Sequence, residues 1–191
     1  VDNKENGQDT ILFLGRMETE KGAEILLKSV ELLYSKRPCK YTVIIAGDGR
    51  QKHSMERLGE EIVHRCPGVL IEFPGWLNEK EKSLIFARSS VFAMPNLWPE
   101  PLGMAPLEAL CHGLPVVGFD GGYAEFVIDG VTGRIVTGER SVHGFAQALE
   151  DCLVDFEIYQ QAQFHAMDLR KKLSVVAHAD SLISLLEGMR L

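Results

Sequence analysis

The sequence predicts an α/β fold in which a parallel sheet is covered by helices on both faces. Two observations carry that reading. Short apolar runs alternate with stretches of helical spacing five times along the chain, and the runs are near-continuously hydrophobic instead of alternating with polar residues. Strands buried on both faces read this way, and strand–helix alternation is the pattern of crossover-connected parallel strands.

Thr10–Gly15 (TILFLG) is an apolar run ended by Gly and reads as the first strand. Helical spacing follows at Ala23, Leu26, Val30 and Leu33 and stops near Pro38. Tyr41–Gly47 (YTVIIAG), rich in β-branched residues, is the second strand. A charged helix from Glu56 to Cys66 leads to the third, Val69–Phe73. Asn78 and Glu81 have the spacing of a capping box, opening a helix that runs to Arg88. Ser90–Pro95 and Leu114–Phe119 are the fourth and fifth strands, and Gly133–Val136 is a short sixth. From Ser141, read as an N-cap, only helical periodicity remains. Right-handed crossovers between such strands give a Rossmann-like, doubly wound domain, whose ligands sit in the loops after the strands.

Composition narrows the class. The chain has 191 residues, 46% hydrophobic and 25% charged, enough for one globular domain with a sizeable core. No apolar run reaches the length of a membrane-spanning helix. The start at Val1, in the polar run VDNKENGQDT and without a signal-peptide pattern, is expected of a piece of a longer protein. Residues 1–9 read as a polar tail or interdomain linker, with the folded domain from 10 to 191. Cys39, Cys66, Cys111 and Cys152 form no CxxC pair, which indicates neither zinc nor redox chemistry and suits a reduced, cytoplasmic protein. A net charge of −7 argues against nucleic acid as partner. A small anion remains compatible if a few cations are concentrated at one place.

The loops carry the chemistry. In GRMETEKG, Arg16 and Lys21 stand between a strand and a helix N-terminus. A guanidinium fork, an ammonium and free helix amides together could hold a diphosphate, while apart they are ordinary solvated cations. The loop is not a P-loop, lacking a second Gly before Lys21 and a Ser or Thr after it. AGDGR is a weak dinucleotide fingerprint, because its third Gly falls at Lys52, so Gly47 and Gly49 read as a tight turn. Between Trp98 and Pro115, Glu100 and Glu108 stand among Pro99, Pro101, Gly103, Pro106 and Gly113. Pro106 fits the first position of a helix, which puts Glu108 near its third, where a glutamate complements the helix dipole or caps the N-terminus. Glu100 reads as a loop carboxylate in a Pro-restricted turn. The amides of Leu102, Gly103 and Met104 beside two carboxylates suit a ligand with both hydroxyls and phosphates. Gly121 and Gly122 are either a plain turn or a place where a ligand presses on the backbone.

Taken in order, GR, KG, AGDG, PEPLGMAPLEA, GLPVV, GGYAE and DGVTG resemble the C-terminal half of the family-four retaining glycosyltransferases of GT-B fold (glycosyl transferases group 1). The likeness runs from about Ile11 to Val136 and loosely beyond, with Glu100 and Glu108 matching that family's E-x7-E motif. The resemblance implies that the donor site comprises Gly15, Arg16, Lys21, Trp76, Leu77, Glu100, Leu102, Gly103, Met104 and Glu108. Arg16 and Lys21 would clamp the diphosphate of a nucleotide-sugar. The amides of Leu102 to Met104 would reach the distal phosphate and the sugar, Glu108 the ribose hydroxyls, and Glu100 the transferred sugar. Trp76 and Leu77 would border the base. With Glu100, Arg16 and Lys21 as the catalytic groups, transfer would retain the anomeric configuration by same-face attack, and a covalent role for Glu100 is disfavoured. No D-x-D motif occurs, so neither metal nor other cofactor is expected. The resemblance also implies an N-terminal companion domain that binds the acceptor, at a membrane surface in some settings on the inner face, and a role in polysaccharide or glycoconjugate biosynthesis. Competing readings are a GT-B-like sugar-nucleotide epimerase, a dinucleotide-dependent dehydrogenase and a non-catalytic nucleotide-binding module. The missing GxGxxG after the first strand disfavours the dehydrogenase, and intact Arg16, Lys21 and Glu100 disfavour the module.

Overall fold

The computed structural model describes residues 8–188. Six strands, β1 (Gln8–Leu14), β2 (Lys40–Ala46), β3 (Val69–Gly75), β4 (Val91–Met94), β5 (Val116–Phe119) and β6 (Gly133–Val136), form one sheet in the order β3-β2-β1-β4-β5-β6. Every neighbouring pair is parallel, with Ile11 of β1 opposite Val43 of β2 and Val91 of β4. This is the doubly wound order. Its direction reverses between β1 and β4, where the loops after the two strands part and leave a crevice.

The helices are α1 (Ala23–Lys36), α2 (Lys52–Arg65), α3 (Glu79–Arg88), α4 (Met104–Cys111), α5 (Val142–Val154), α6 (Phe156–Lys172) and α7 (Val175–Gly188). The two-residue period of the strands divides the core. Ile11, Phe13, Val43, Ile45, Val91 and Ala93 pack with α1, α2 and α5 on one face. Leu12, Ile44, Phe92, Met94 and Val116 pack with α3 and α4 on the other. The apolar stripe expected on α1 is buried throughout: Ala23, Leu26, Val30 and Leu33 are at most 1% exposed. The central strands β4 and β5 are buried at every position, whereas β3 is half-exposed and tolerates Pro74 because it lies at the edge.

Several local expectations hold. Asn78 Oδ1 accepts from Glu81 N at 3.0 Å and Glu81 Oε2 from Asn78 N at 2.8 Å, a complete capping box. Ser141 Oγ caps α5, accepting from Gly144 N at 3.2 Å. Two boundaries differ. β1 begins at Gln8, so Gln8 and Asp9 belong to the sheet and not to the tail: they pair with Lys40 and Tyr41, whose backbone reaches that far. Residues 1–7 of that tail lie outside the described residues. α2 begins at Lys52, one turn before the expected Glu56, because Met55 and Ile62 both face the core. All four cysteines are free, and no helix among the described residues is long and apolar enough to cross a membrane.

Candidate functional site

The loops after β1 and β4 meet above the switch point and bound two clefts that share Arg16. The first, about 450 Å³, is lined by Arg16, Glu20, Lys21, Asn96, Trp98, Glu100 and Pro101. The second, about 510 Å³, includes Gly15, Arg16, Trp76, Leu77, Met104 and Glu108, with Lys82 beside them. Eight of the ten residues expected at a donor site thus line one cleft or the other. Leu102 lies with Phe86 and His112 in an adjoining groove instead, and Gly103 directly precedes α4.

In the first cleft Lys21 closes a single 3-10 turn, Thr19–Lys21, after β1. Its Nζ forms an ion pair with Glu100 Oε2, both side chains being mostly buried at 17% and 25% exposure. Asn96 Nδ2 donates to the same oxygen at 2.8 Å. The loop bearing Glu100 is held from two sides. Leu97 N donates to Glu20 O at 2.8 Å, and Gly122 N to Glu100 O at 2.7 Å. A Cβ on Gly122 would overlap the Pro101 carbonyl: the glycine opens a 3-10 turn, Gly122–Phe126, against which the chain's own Glu100 loop packs. Arg140 completes the cradle, donating to Asn96 O at 2.8 Å and to Asp120 O and Oδ1 at 3.0 and 3.1 Å. Arg16 meets Glu20 at 3.4 Å and is 65% exposed, so its guanidinium is open to a ligand.

The start of α4 differs from the sequence reading. Gly103, with φ of 71°, is the N-cap residue, and the helix begins at Met104. The left-handed conformation that Gly alone adopts freely starts the helix two residues early. Pro106 is therefore the third helical residue, still within the turn whose N–H groups have no helical partner, and Glu108 is the fifth. Glu108 does not cap α4. Its carboxylate accepts from Lys82 Nζ of α3, and Lys82 also pairs with Glu79 at 2.9 Å. The bond to Glu79 first, then that to Glu108, holds the Lys82 ammonium above the ordinary lysine range. Trp76, in the loop between β3 and the capped start of α3, is 82% exposed at the rim of the second cleft, while Leu77 packs against the core.

Sequence reasoning missed Asn96, Lys82 and Arg140. Asn96 carried a signal: it follows β4 at the carboxyl end of a central strand, where such sheets bind ligands. Lys82 carried a weaker one, lying one helical turn after the N-cap Asn78 and so above the same loop. Arg140 had none, because its contacts span 44 and 20 positions.

The family model for Glycosyl transferases group 1 matches residues 8–155. The chain belongs to this family. Among curated relatives of this glycosyltransferase family, the D-inositol 3-phosphate glycosyltransferase of Paenarthrobacter aurescens is 30% identical over 157 residues, 77% of this chain and 36% of its own length. The glycogen synthase of Mycobacterium tuberculosis is 32% identical over 150 residues, 78% of this chain and 35% of its own. The chain thus spans about a third of the length of these relatives. Among solved structures, Anabaena HepE in complex with UDP and glucose superposes with a TM-score of 0.75 at 22% identity, over 96% of this chain and 49% of HepE. The C-terminal domain of a group 1 glycosyl transferase of Francisella tularensis superposes with a TM-score of 0.69 at 20% identity, over 86% of this chain and 85% of that domain. At these identities the likeness establishes the fold alone: a Rossmann-like parallel sheet covered by helices.

Proposed function

We propose that this chain is the donor-binding half of a retaining glycosyltransferase that takes a nucleotide-diphosphate sugar. The observation that carries the reading is the pair of clefts joined at Arg16. One joins an apolar side, with Trp76, Leu77 and Met104, to the Glu108 carboxylate, as a base and ribose need. The other is charged, with Lys21 and Glu100 at its centre, as a diphosphate and a polyhydroxyl group need. That HepE is solved with UDP, with UDP and glucose, and with UDP-glucose agrees with this ligand class.

In this reading Arg16 and Lys21 bind the diphosphate, with Lys21 bridging phosphate and Glu100. Gly15 and the amides of Leu102, Gly103 and Met104 border phosphate and sugar at the start of α4. Glu108 accepts from the ribose hydroxyls and Glu100 from the sugar. Negative charge grows on the departing diphosphate as the glycosidic bond breaks, and the two cations stabilise it without a metal ion. The leaving phosphate guides the acceptor hydroxyl to the same face of the oxocarbenium-like carbon, so configuration is retained. Glu100, its Oε2 already taken by Lys21 and Asn96, serves as hydrogen-bond acceptor and not as nucleophile. A companion domain binds the acceptor, reached from the cytoplasm at a membrane surface or in solution. Titrating the chain with UDP, GDP and ADP, and with their sugar conjugates, tests the reading. Binding of one nucleotide series, stronger than that of the matching nucleoside, is expected, and no binding in any series overturns it.

A further inference from the structure

We propose that Asn96 is a positioning residue for Glu100, aiming the one free oxygen of its carboxylate at the transferred sugar. The inference rests on the donor-binding reading above. A carboxylate only accepts, so the side of the Asn96 amide that faces Glu100 is Nδ2, at 2.8 Å from Oε2. Lys21 converges on that same oxygen, which leaves Oε1 as the acceptor offered to the cleft. Two donors on one oxygen fix both the rotamer and the plane of the carboxylate. The backbone that carries the amide is anchored too, since Arg140 donates to the Asn96 carbonyl at 2.8 Å.

The other end of the amide shows why this is more than packing. Asn96 is 2% exposed, and its Oδ1 has no hydrogen-bond partner among the described residues. An acceptor buried without a partner costs its full desolvation, whereas an apolar side chain of similar shape costs none. Asn96 therefore works against stability while it orders Glu100, the balance found where a side chain serves a site. Its charged surroundings come from three segments: Arg16, Glu20 and Lys21 after β1, Glu100 in its own loop, and Asp120 with Arg140 beyond β5.

Two variants test this in the 191-residue chain. Affinities for UDP-glucose, GDP-mannose and ADP-glucose are each measured beside that of the corresponding nucleoside diphosphate, and stability by urea unfolding. In Asn96→Leu, sugar-conjugate affinity should fall about tenfold and nucleoside diphosphate affinity less than about twofold, with an unchanged or raised urea midpoint. Asn96→Asp keeps the shape but sets a second carboxylate beside Glu100. The ratio of sugar-conjugate to nucleoside diphosphate affinity, divided by the wild-type ratio at the same pH so that titration of the diphosphate's terminal phosphate cancels, should then recover several-fold between about pH 8 and about pH 5.5, as the pair takes up a shared proton. A ratio unchanged in both variants, or a loss of stability with the ratio intact, overturns the positioning role alone. Wild-type protein that binds none of the three pairs overturns the donor reading and this inference with it.

Discussion

Lys82 Nζ donates to both carboxylate oxygens of Glu108, at 3.1 and 3.4 Å, from a different helix 26 positions away. This pairing separates two roles that the sequence left merged. A glutamate in the first turn of α4 would be a stability element. One in the second turn, paired with a lysine of α3 and lining the cleft with Trp76 and Leu77, is free of the helix start, and the proposed reading makes it an acceptor for the ligand.

Glu108→Ala is accordingly expected to leave stability within about 1 kcal/mol, the range of a partly exposed ion pair. Its effect should appear on ligands. Ribonucleoside diphosphates should bind the wild-type chain at least ~10-fold more tightly than their 2′,3′-dideoxy counterparts, and the variant should lose most of that difference. A cycle of protein variant against ligand hydroxyl isolates the coupling, and coupling near zero would remove Glu108 from the site.

Lys21→Ala should weaken nucleoside diphosphate binding by about 1.5–3 kcal/mol and leave nucleoside binding nearly unchanged. Because Lys21 also neutralises Glu100, the variant leaves a carboxylate facing the phosphates. Lys21→Ala combined with Glu100→Gln should therefore recover part of the loss. Calorimetry on the four proteins decides it: equal weakening of nucleoside and diphosphate would take Lys21 off the phosphates.

Gly122→Ala should move the Glu100 loop, since the added Cβ meets the Pro101 carbonyl. Overpacking against a rigid backbone costs on the order of 1–3 kcal/mol. Sugar-conjugate binding is expected to suffer more than nucleoside diphosphate binding. Asp120→Ala, which removes one exposed contact of Arg140, should be far milder in both measurements.

His112 stacks on Phe86, with centroids 4.6 Å apart, and burial there, then the nearby charge of Arg170, pulls its pKa below the ordinary histidine value. Above about pH 7 the imidazole is neutral folded and unfolded, so it contributes nothing to pH dependence. As pH falls below the unfolded value, the unfolded chain takes up the proton first and stability drops until the folded pKa is reached. The urea midpoint of wild-type protein should thus decline more steeply toward acid than that of His112→Gln. Parallel declines would show that His112 titrates alike in both states.

Transfer itself is expected to need the companion domain and no metal ion. Under the proposed reading the chain alone binds a nucleotide-sugar without transferring the sugar, and EDTA leaves intact the transfer by a longer protein that joins it to an acceptor domain. Turnover by the isolated chain would overturn the need for a companion domain, and a strict magnesium requirement would count against charge stabilisation by Arg16 and Lys21 alone.

What the sequence determined by itself is whatever local pattern dictates. Apolar, β-branched runs such as Tyr41–Gly47 read as buried strands, the Asn78–Glu81 spacing reads as a helix start, and their alternation along the chain points to an α/β sheet whose loops carry function. Local reading left Arg16, Lys21, Glu100 and Glu108 as candidates with ordinary structural alternatives, and the order of motifs along the chain, through its resemblance to a family, is what marked them as a set. What it could not assign were partners. That Glu108 answers to Lys82 and not to its own helix was decided by Gly103, whose left-handed backbone starts α4 two residues early. That Glu100 is gripped by Lys21 and Asn96, with Arg140 behind them, depends on loops brought together only when β1, β4 and β5 align side by side. Hydrophobic period reports which face of an element is buried. Which polar atoms then meet across the top of the sheet depends on its strand order and register, and those exist only in the folded chain.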